Sequence, residues 1–144
     1  MRQLQPYFIN IKKRQVKSPK IYFRDSGLFH ALLGISNMEQ LRTHLKCGAS
    51  WEGFALEEVI RVRGAKPEEC FFWGVHSQGE VDLLLNQNGK LEAFEFKYSS
   101  SPGINKSMNW TLDNLPIDSL TVVSPVDAGY SLSKEITVKS IIEL

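Results

Sequence analysis

The sequence has few cysteines and no long apolar run. Its two cysteines, Cys47 and Cys70, lie far apart, and neither belongs to a Cys-x-x-Cys pair. This spacing excludes a disulfide scaffold and favours reduced, structurally neutral thiols. No segment approaches the roughly 18 consecutive apolar residues of a membrane span, and residues 1–15 lack the apolar core of a secretory signal. We therefore expect a cytoplasmic protein with no membrane partner.

Several motifs of common enzyme classes are also missing. No Gly-x-x-x-x-Gly-Lys-Ser/Thr motif occurs, so the chain has no P-loop of its own for a nucleotide. No Gly-x-Ser-x-Gly elbow is present either, which argues against a serine hydrolase. His30, His44 and His76 have no cysteine or acidic residue at a zinc-ligand spacing.

Length and composition are those of one globular domain. The chain has 144 residues, of which 42% are hydrophobic and 23% charged, and its formal net charge is +1. A chain of this size buries enough surface for a hydrophobic core without disulfides or a structural metal.

Basic charge is concentrated at the start of the chain. Residues 1–24 contain seven basic residues and no acidic one, whereas the remaining 120 residues contain ten basic and sixteen acidic residues. We interpret residues 1–24 as a basic arm and residues 25–144 as the main domain. The arm is a candidate contact for nucleic-acid phosphates or an acidic partner. The alternative is a solvated strand and turn. The candidate nucleic-acid-binding residues are Lys12, Lys13, Arg14 and Lys17.

The apolar pattern predicts a mixed α/β fold. β-branched and aromatic residues predict short strands at 4–11, 20–24, 70–73, 80–85, 91–97, 119–124 and, at an edge, 136–142. Helical spacing and capping residues predict helices at 28–33, from about 36 to 45, at 48–63 and at 104–114. This order of elements indicates a central mixed sheet flanked by helices.

One acidic residue stands out on the predicted helix 48–63. Steps of three and four residues place Glu52 beside the apolar stripe, whereas Glu57 and Glu58 group with Arg61 on the outer side. Taken alone, Glu52 is best explained as a residue that extends its carboxylate to solvent at the helix edge or pairs with a nearby cation.

The hairpin predicted at 80–97 carries charges where a core strand should not. Alternation places Glu95 and Lys97 on one face of the second strand, and pairing through the turn brings Asp82 alongside Glu95. Two carboxylates suit a hard divalent cation such as Mg²⁺ or Mn²⁺. A lysine beside the ion could orient or help to deprotonate an attacking water. The alternative is a salt-bridge ladder on an exposed sheet face.

The spacing of Asp82 and Glu95-Phe96-Lys97 resembles the PD-(D/E)XK nuclease superfamily, with Glu52 matching the glutamate of its preceding helix. The proline of the motif is absent, since Val81 precedes Asp82. The resemblance implies a restriction-endonuclease-like core. It also implies that Asp82, Glu95 and the Phe96 carbonyl bind Mg²⁺, that Glu52 is a further ligand, and that Lys97 positions the attacking water.

A second resemblance covers nearly the whole chain. The stretches 17–28, 48–60, 79–84 and 95–97 are similar to the C-terminal domain that follows the AAA-type module in bacterial and archaeal ATPases. It implies that residues 1–24 are the remnant of a winged-helix-like connection and that an ATPase module acts as partner in cis or in trans.

Two functions follow from these expectations. The first is a Mg²⁺-dependent nuclease that hydrolyses phosphodiester bonds in DNA, with Glu52, Asp82, Glu95 and Lys97 as catalytic residues. As in other members of the superfamily, it could act as a homodimer. The alternative is a regulatory domain of an ATPase that binds nucleic acid or protein without catalysis.

Overall fold

The computed structural model describes all 144 residues and is built around one eight-stranded sheet. The strand order is β2-β1-β3-β4-β5-β6-β8-β7, and the sheet contains both parallel and antiparallel pairs. The strands are β1 Arg2–Pro6, β2 Lys20–Tyr22, β3 Cys70–Val75, β4 Gly79–Gln87, β5 Lys90–Phe96, β6 Leu120–Ser124, β7 Tyr130–Ser131 and β8 Ile136–Ser140. The helices are α1 Ser26–Leu32, α2 Met38–Thr43, α3 Cys47–Arg63 and α4 Lys106–Asn114. The predicted mixed α/β sheet flanked by helices is confirmed.

Helices cover both faces of the sheet. On one face, α3 packs Leu56 and Val59 against Leu83 and Phe94, all of them buried. On the other face, Met108 of α4 belongs to a second cluster, to which the strands β3, β4, β5, β6 and β8 all contribute. No helix of the chain has the length and apolar character needed to cross a membrane.

The central hairpin β4–β5 has the form that its turn sequence predicts. Asn88 and Gly89 both have positive φ, at 51° and 74°, as a two-residue turn of type I′ requires. The strands pair antiparallel with Leu83 opposite Phe94. This register fixes which side chains meet at the far end of the hairpin, where Asp82 and Glu95 lie.

Helix α3 follows the prediction closely, and its ends have physical causes. It contains no proline and ends at Gly64, whose φ of 58° forms a left-handed cap. The expectation that Glu57 groups with Arg61 is wrong. Glu57 instead forms a bidentate pair with Arg2 of β1, and only Glu58 pairs with Arg61.

Three other local predictions differ from the structure. Helix α2, predicted from about residue 36 to 45, spans Met38–Thr43, and its cap Asn37 accepts a hydrogen bond from the Gln40 amide at 2.9 Å. The first strand ends at Pro6, although the next amide, that of Tyr7, still donates to the Phe72 carbonyl of β3 at 2.7 Å. The strand β8 is not an edge, because the short β7 pairs along its outer side.

Residues 1–24 form part of the sheet. Strand β1 pairs parallel with β3, and β2 pairs antiparallel with β1 at the sheet edge. Leu4 is fully buried in the cluster under α3. The segment between β1 and β2 runs beside β3, where the Val16 amide donates to the Gly74 carbonyl at 2.8 Å. The division of the chain at residue 24 stays a prediction.

Candidate active site

Asp82 and Glu95 meet at the end of the central hairpin. Both are buried, with 8% and 5% of their surface exposed. Asp82 Oδ2 accepts a hydrogen bond from the Phe96 amide at 3.0 Å, which fixes the carboxylate against β5. The predicted alignment of Asp82 with Glu95 is therefore present, and the site lies inside the sheet rather than on an exposed face.

Lys97 follows directly after β5 and lies beside Glu95. Its ammonium nitrogen is 3.4 Å from Glu95 Oε2, and its side chain is 42% exposed. Its backbone is held by β6, since its amide donates to the Val123 carbonyl at 3.0 Å and its carbonyl accepts from Ser124 Oγ at 2.6 Å. A rigid backbone thus carries a side chain that reaches from the buried carboxylates to solvent.

Glu52 lies near this group without touching it. It is half-buried on α3, and its Oε1 accepts a hydrogen bond from the Tyr22 hydroxyl. It has no hydrogen bond to Asp82 or Glu95, although the Asp82 charge affects its titration. The structure therefore brings Asp82, Glu95 and Lys97 into contact and places Glu52 at the margin of the site.

The structure adds Lys20 and Tyr22, which the sequence analysis did not place in the site. Lys20 pairs with Glu80, and its ammonium lies 3.5 Å from Asp82 Oδ1. Lys20 and Tyr22 are two residues apart on β2, so their side chains lie on the same face of the strand. Both side chains contact acidic residues of the site. The signal was present in Lys20-Ile21-Tyr22, but only long-range pairing places this edge strand near β4.

Burial and crowding shift the protonation of the carboxylates. Burial raises the pKa of Glu95 well above its usual value of 4.5, and the adjacent Asp82 charge adds to the effect. The pKa of Glu52 is also raised, by burial and then by Asp82. The charged form of these carboxylates is therefore destabilised. A cation bound between them would offset this destabilisation.

The two lysines keep their charge in spite of burial. Burial disfavours the charged form of Lys97, but Glu95 and Asp82 outweigh it and raise its pKa above 10.5. The pKa of Lys20 is also raised, because Asp82 and Glu80 outweigh its burial. Both lysines are therefore protonated at neutral pH, and each acts as a hydrogen-bond donor rather than a base.

The donor set fits a hard divalent cation. Glu52, Glu80, Asp82 and Glu95 supply four carboxylates against the two ammonium groups of the lysines, so two negative charges are left uncompensated when all are ionised. No three His, Cys, Asp or Glu side chains are placed to hold a metal ion together. Mg²⁺ usually takes one or two carboxylates and keeps several waters, and Asp82 and Glu95 could supply that number.

The basic run predicted to bind nucleic acid lies in the segment between β1 and β2. Lys12, Lys13, Arg14 and Lys17 are all exposed, and none forms a salt bridge. The His76 amide donates to the Arg14 carbonyl at 3.2 Å, which ties the run to the turn before β4. The run precedes Lys20 in the chain, and Lys20 itself pairs with Glu80 beside Asp82.

Comparison with known proteins gives a family for most of the chain. Residues 47–144 match a family described as a domain of unknown function, DUF4143. The chain belongs to this family. DUF4143 domains are found at the C-terminus of AAA-ATPase-like proteins, which confirms the resemblance to such a domain. Residues 1–39 match a second domain of unknown function, DUF8612. Glu52, Asp82, Glu95 and Lys97 thus lie in the DUF4143 domain, whereas Lys20 and Tyr22 lie in the preceding segment.

Two mycobacterial proteins are similar to the chain. Uncharacterised proteins of Mycobacterium bovis and Mycobacterium tuberculosis are each 42% identical to it over 133 residues. These matches cover 92% of the chain but 30% of each relative, so the chain spans less than a third of their length. No solved structure matches the chain.

Proposed function

We propose that this DUF4143 domain is a Mg²⁺-dependent nuclease that hydrolyses phosphodiester bonds in DNA and that works attached to an AAA-type ATPase module. The observation that carries the proposal is the buried pair Asp82 and Glu95 with the Lys97 ammonium 3.4 Å from Glu95 Oε2. The same residues carry the resemblance to the PD-(D/E)XK superfamily.

The residues have distinct roles in this proposal. Asp82 and Glu95 would hold Mg²⁺ (or Mn²⁺) together with the Phe96 carbonyl, and Glu52 would be a further metal or water ligand. When bound, the ion polarises the phosphate and lowers the pKa of a water. Lys97, protonated and partly exposed, donates a hydrogen bond that orients the attacking water. The water oxygen bonds to phosphorus as one P–O ester bond breaks, and a proton of the water passes to the leaving oxygen, which leaves a phosphate monoester and a free hydroxyl.

Lys20 and Tyr22 support this arrangement from β2. The Tyr22 hydroxyl donates to Glu52 and so fixes the orientation of that carboxylate. The Lys20 ammonium lies close enough to Asp82 to stabilise negative charge that develops on a bound phosphate. The exposed basic run before Lys20 supplies contacts to the DNA backbone.

Cleavage assays test the proposal. Plasmid, linear and single-stranded DNA and RNA are incubated with Mg²⁺ or Mn²⁺ and with wild-type protein, Asp82→Asn or Lys97→Met. Asp82→Asn keeps an oxygen that accepts from the Phe96 amide but removes the charge, so the fold is retained. We expect a loss of about 100-fold or more in each variant.

Glu92→Gln serves as the matched control, because Glu92 lies on the same strand as Glu95 but pairs with Arg63 at 3.5 Å. It should cleave like the wild type. Absence of metal-dependent cleavage by folded wild-type protein, or full activity of Asp82→Asn, would contradict the proposal.

A second function is supported by the lysines. Lys20 and Lys97 already lie beside Asp82 and Glu95, so the carboxylates have partners without a metal. On this alternative, the domain binds nucleic acid or a protein and regulates its ATPase without catalysis. Salt-sensitive DNA binding in EDTA, stimulation of the ATPase and no cleavage would favour it.

A further inference from the structure

A cavity opens beside the candidate active site, between β2, α1 and α3. Its volume is about 360 Å³, within the range of small-molecule pockets. Lys20, Tyr22 and Glu52 line it and also belong to the carboxylate site described above. The cavity and the site are therefore continuous.

The other walls of the cavity are aromatic. Phe23 and Phe29 contribute stacked rings, with centroids 5.1 Å apart and an interplanar angle of 26°. Phe54 of α3 forms another wall and is 42% exposed. Exposed aromatic rings in a concave site provide surfaces on which a planar ligand stacks.

Polar groups lie at defined points of this apolar cavity. Ser26 and Ser50 line it, and Ser50 Oγ lies 2.6 Å from His30 Nε2. Ser50 is 93% buried, so its hydroxyl is held by this contact. The Lys20 ammonium adds positive charge where the cavity meets the carboxylates. Such a site combines stacking surfaces, hydrogen-bonding groups and a contact for an anion.

We propose that this cavity binds a nucleobase of single-stranded DNA, whose adjoining phosphate lies at Lys20 and the Asp82–Glu95 pair. A base is planar and carries polar edges, so it fits aromatic walls with a few hydroxyls. A base within a duplex is stacked and paired and must leave the helix to enter a pocket. The substrate of the proposed nuclease is therefore a single strand or a frayed end, and this specificity rests on the proposed function.

Binding in EDTA tests the cavity without hydrolysis. The probe is a fluorescein-labelled oligothymidine of about 12 nucleotides, within the site size of single-strand binding proteins. The comparison probe is the same oligonucleotide with abasic tetrahydrofuran units at its central positions. Anisotropy should show that wild-type protein binds the thymidine strand about tenfold more tightly than the abasic strand. It should also bind the thymidine strand more tightly than the same sequence in a duplex.

Variants of the cavity walls should reduce this difference. In Phe54→Ala the preference for the thymidine strand should fall to about threefold or less, because an exposed stacking surface is removed. Phe29→Leu keeps most of the side-chain volume and should have the same effect. Tyr130→Ala, at the opposite edge of the sheet, is the control and should keep the wild-type preference.

Equal affinity for the two strands, or an undiminished preference in both Phe54→Ala and Phe29→Leu, would overturn the base-binding proposal. Failure of the proposed nuclease appears separately, as lack of metal-dependent cleavage. A folded protein that prefers the thymidine strand but cleaves nothing keeps the base site and loses the catalytic function.

Discussion

The Lys20 ammonium lies 3.5 Å from an Asp82 carboxylate oxygen, although β1 and β3 separate their two strands in the sheet. The lysine side chain reaches across β3, where its ammonium is 5.4 Å from the centre of the Phe72 ring. Lys20 also pairs with Glu80. A positive charge on the edge strand thus reaches the acidic group at which we place the metal.

Replacing Lys20 should therefore strengthen metal binding. Lys20→Met removes a positive charge beside Asp82. It thereby removes the repulsion between the lysine ammonium and a metal ion bound at Asp82. We expect Mn²⁺ to bind about tenfold more tightly, which corresponds to about 1.4 kcal/mol. Titration calorimetry with Mn²⁺ measures this change. Lys134→Met removes an exposed lysine before β8 and serves as the control. Unchanged or weaker Mn²⁺ affinity in Lys20→Met would contradict the role given to Lys20.

The raised pKa of Glu95 predicts a specific dependence of stability on pH. The folded protein binds this proton more tightly than the unfolded chain does, so νN exceeds νU between the two pKa values. The contribution of Glu95 to the free energy of unfolding is full below about pH 4.5 and is lost as the pH rises through the folded pKa. Without metal, stability should thus decline as the pH rises from about 4.5 through the folded pKa of Glu95.

Glu95→Gln should reduce this decline and stabilise the metal-free protein at neutral pH by about 1 kcal/mol, because a buried charge becomes a neutral amide. Urea unfolding at several pH values in EDTA measures the effect. Glu52, whose pKa is also raised, accounts for the slope that remains. The assignment fails if Glu95→Gln shows the full slope of the wild type. In wild-type protein, added Mg²⁺ should stabilise more strongly as the pH rises, because the ion competes with protons.

The pair Arg2–Glu57 should contribute strongly to stability. The side chains of Arg2 and Glu57 are 7% and 16% exposed, and Arg2 donates two hydrogen bonds to the carboxylate. Glu57→Gln leaves the buried guanidinium without its counter-charge and should cost about 3 kcal/mol in urea unfolding. Glu58→Gln breaks the exposed pair with Arg61 on the same helix and should leave stability nearly unchanged. Similar effects of the two variants would show that β1 does not depend on this pair.

The basic run should govern the salt dependence of DNA binding. Replacement of Lys12, Lys13, Arg14 and Lys17 by alanine removes up to four phosphate contacts. The slope of log K against log salt concentration for single-stranded DNA should become shallower by up to about 3. Anisotropy titrations at several salt concentrations measure the slope. Lys90→Ala with Lys134→Ala, which removes exposed charges elsewhere, should leave the slope unchanged. An unchanged slope in the fourfold variant would remove the run from the binding surface.

Several features of the site could be predicted from local sequence. The hairpin follows from two apolar strands around Asn88-Gly89, and its short turn leaves one register in which Asp82 lies alongside Glu95. The placement of Lys97 beside Glu95 follows from strand alternation. Helix α3 was predictable because its apolar spacing is regular and Gly64 ends it. In each case, the interactions that decide the structure are local, either within one helix or across one short turn.

The roles of Glu57, Lys20 and Tyr22 depended on contacts between distant parts of the chain. Local spacing placed Glu57 with Arg61, but a guanidinium from β1 forms the better-buried bidentate pair. Likewise, Tyr22 donates to Glu52, which lies 30 positions away in the sequence. Nothing in the three-residue strand β2 indicates which parts of the fold it contacts.

By itself, the sequence determined most of the elements, the hairpin and the acidic pair, because capping, turn chemistry and side-chain periodicity act over short distances. Only the tertiary structure decided that β2 joins the sheet edge, that Lys20 reaches Asp82, and that aromatic residues from β2, α1 and α3 enclose a cavity beside them. These outcomes depend on strand order and on the packing of α3 over the sheet. Both are set by burial of the whole core, which no local segment specifies.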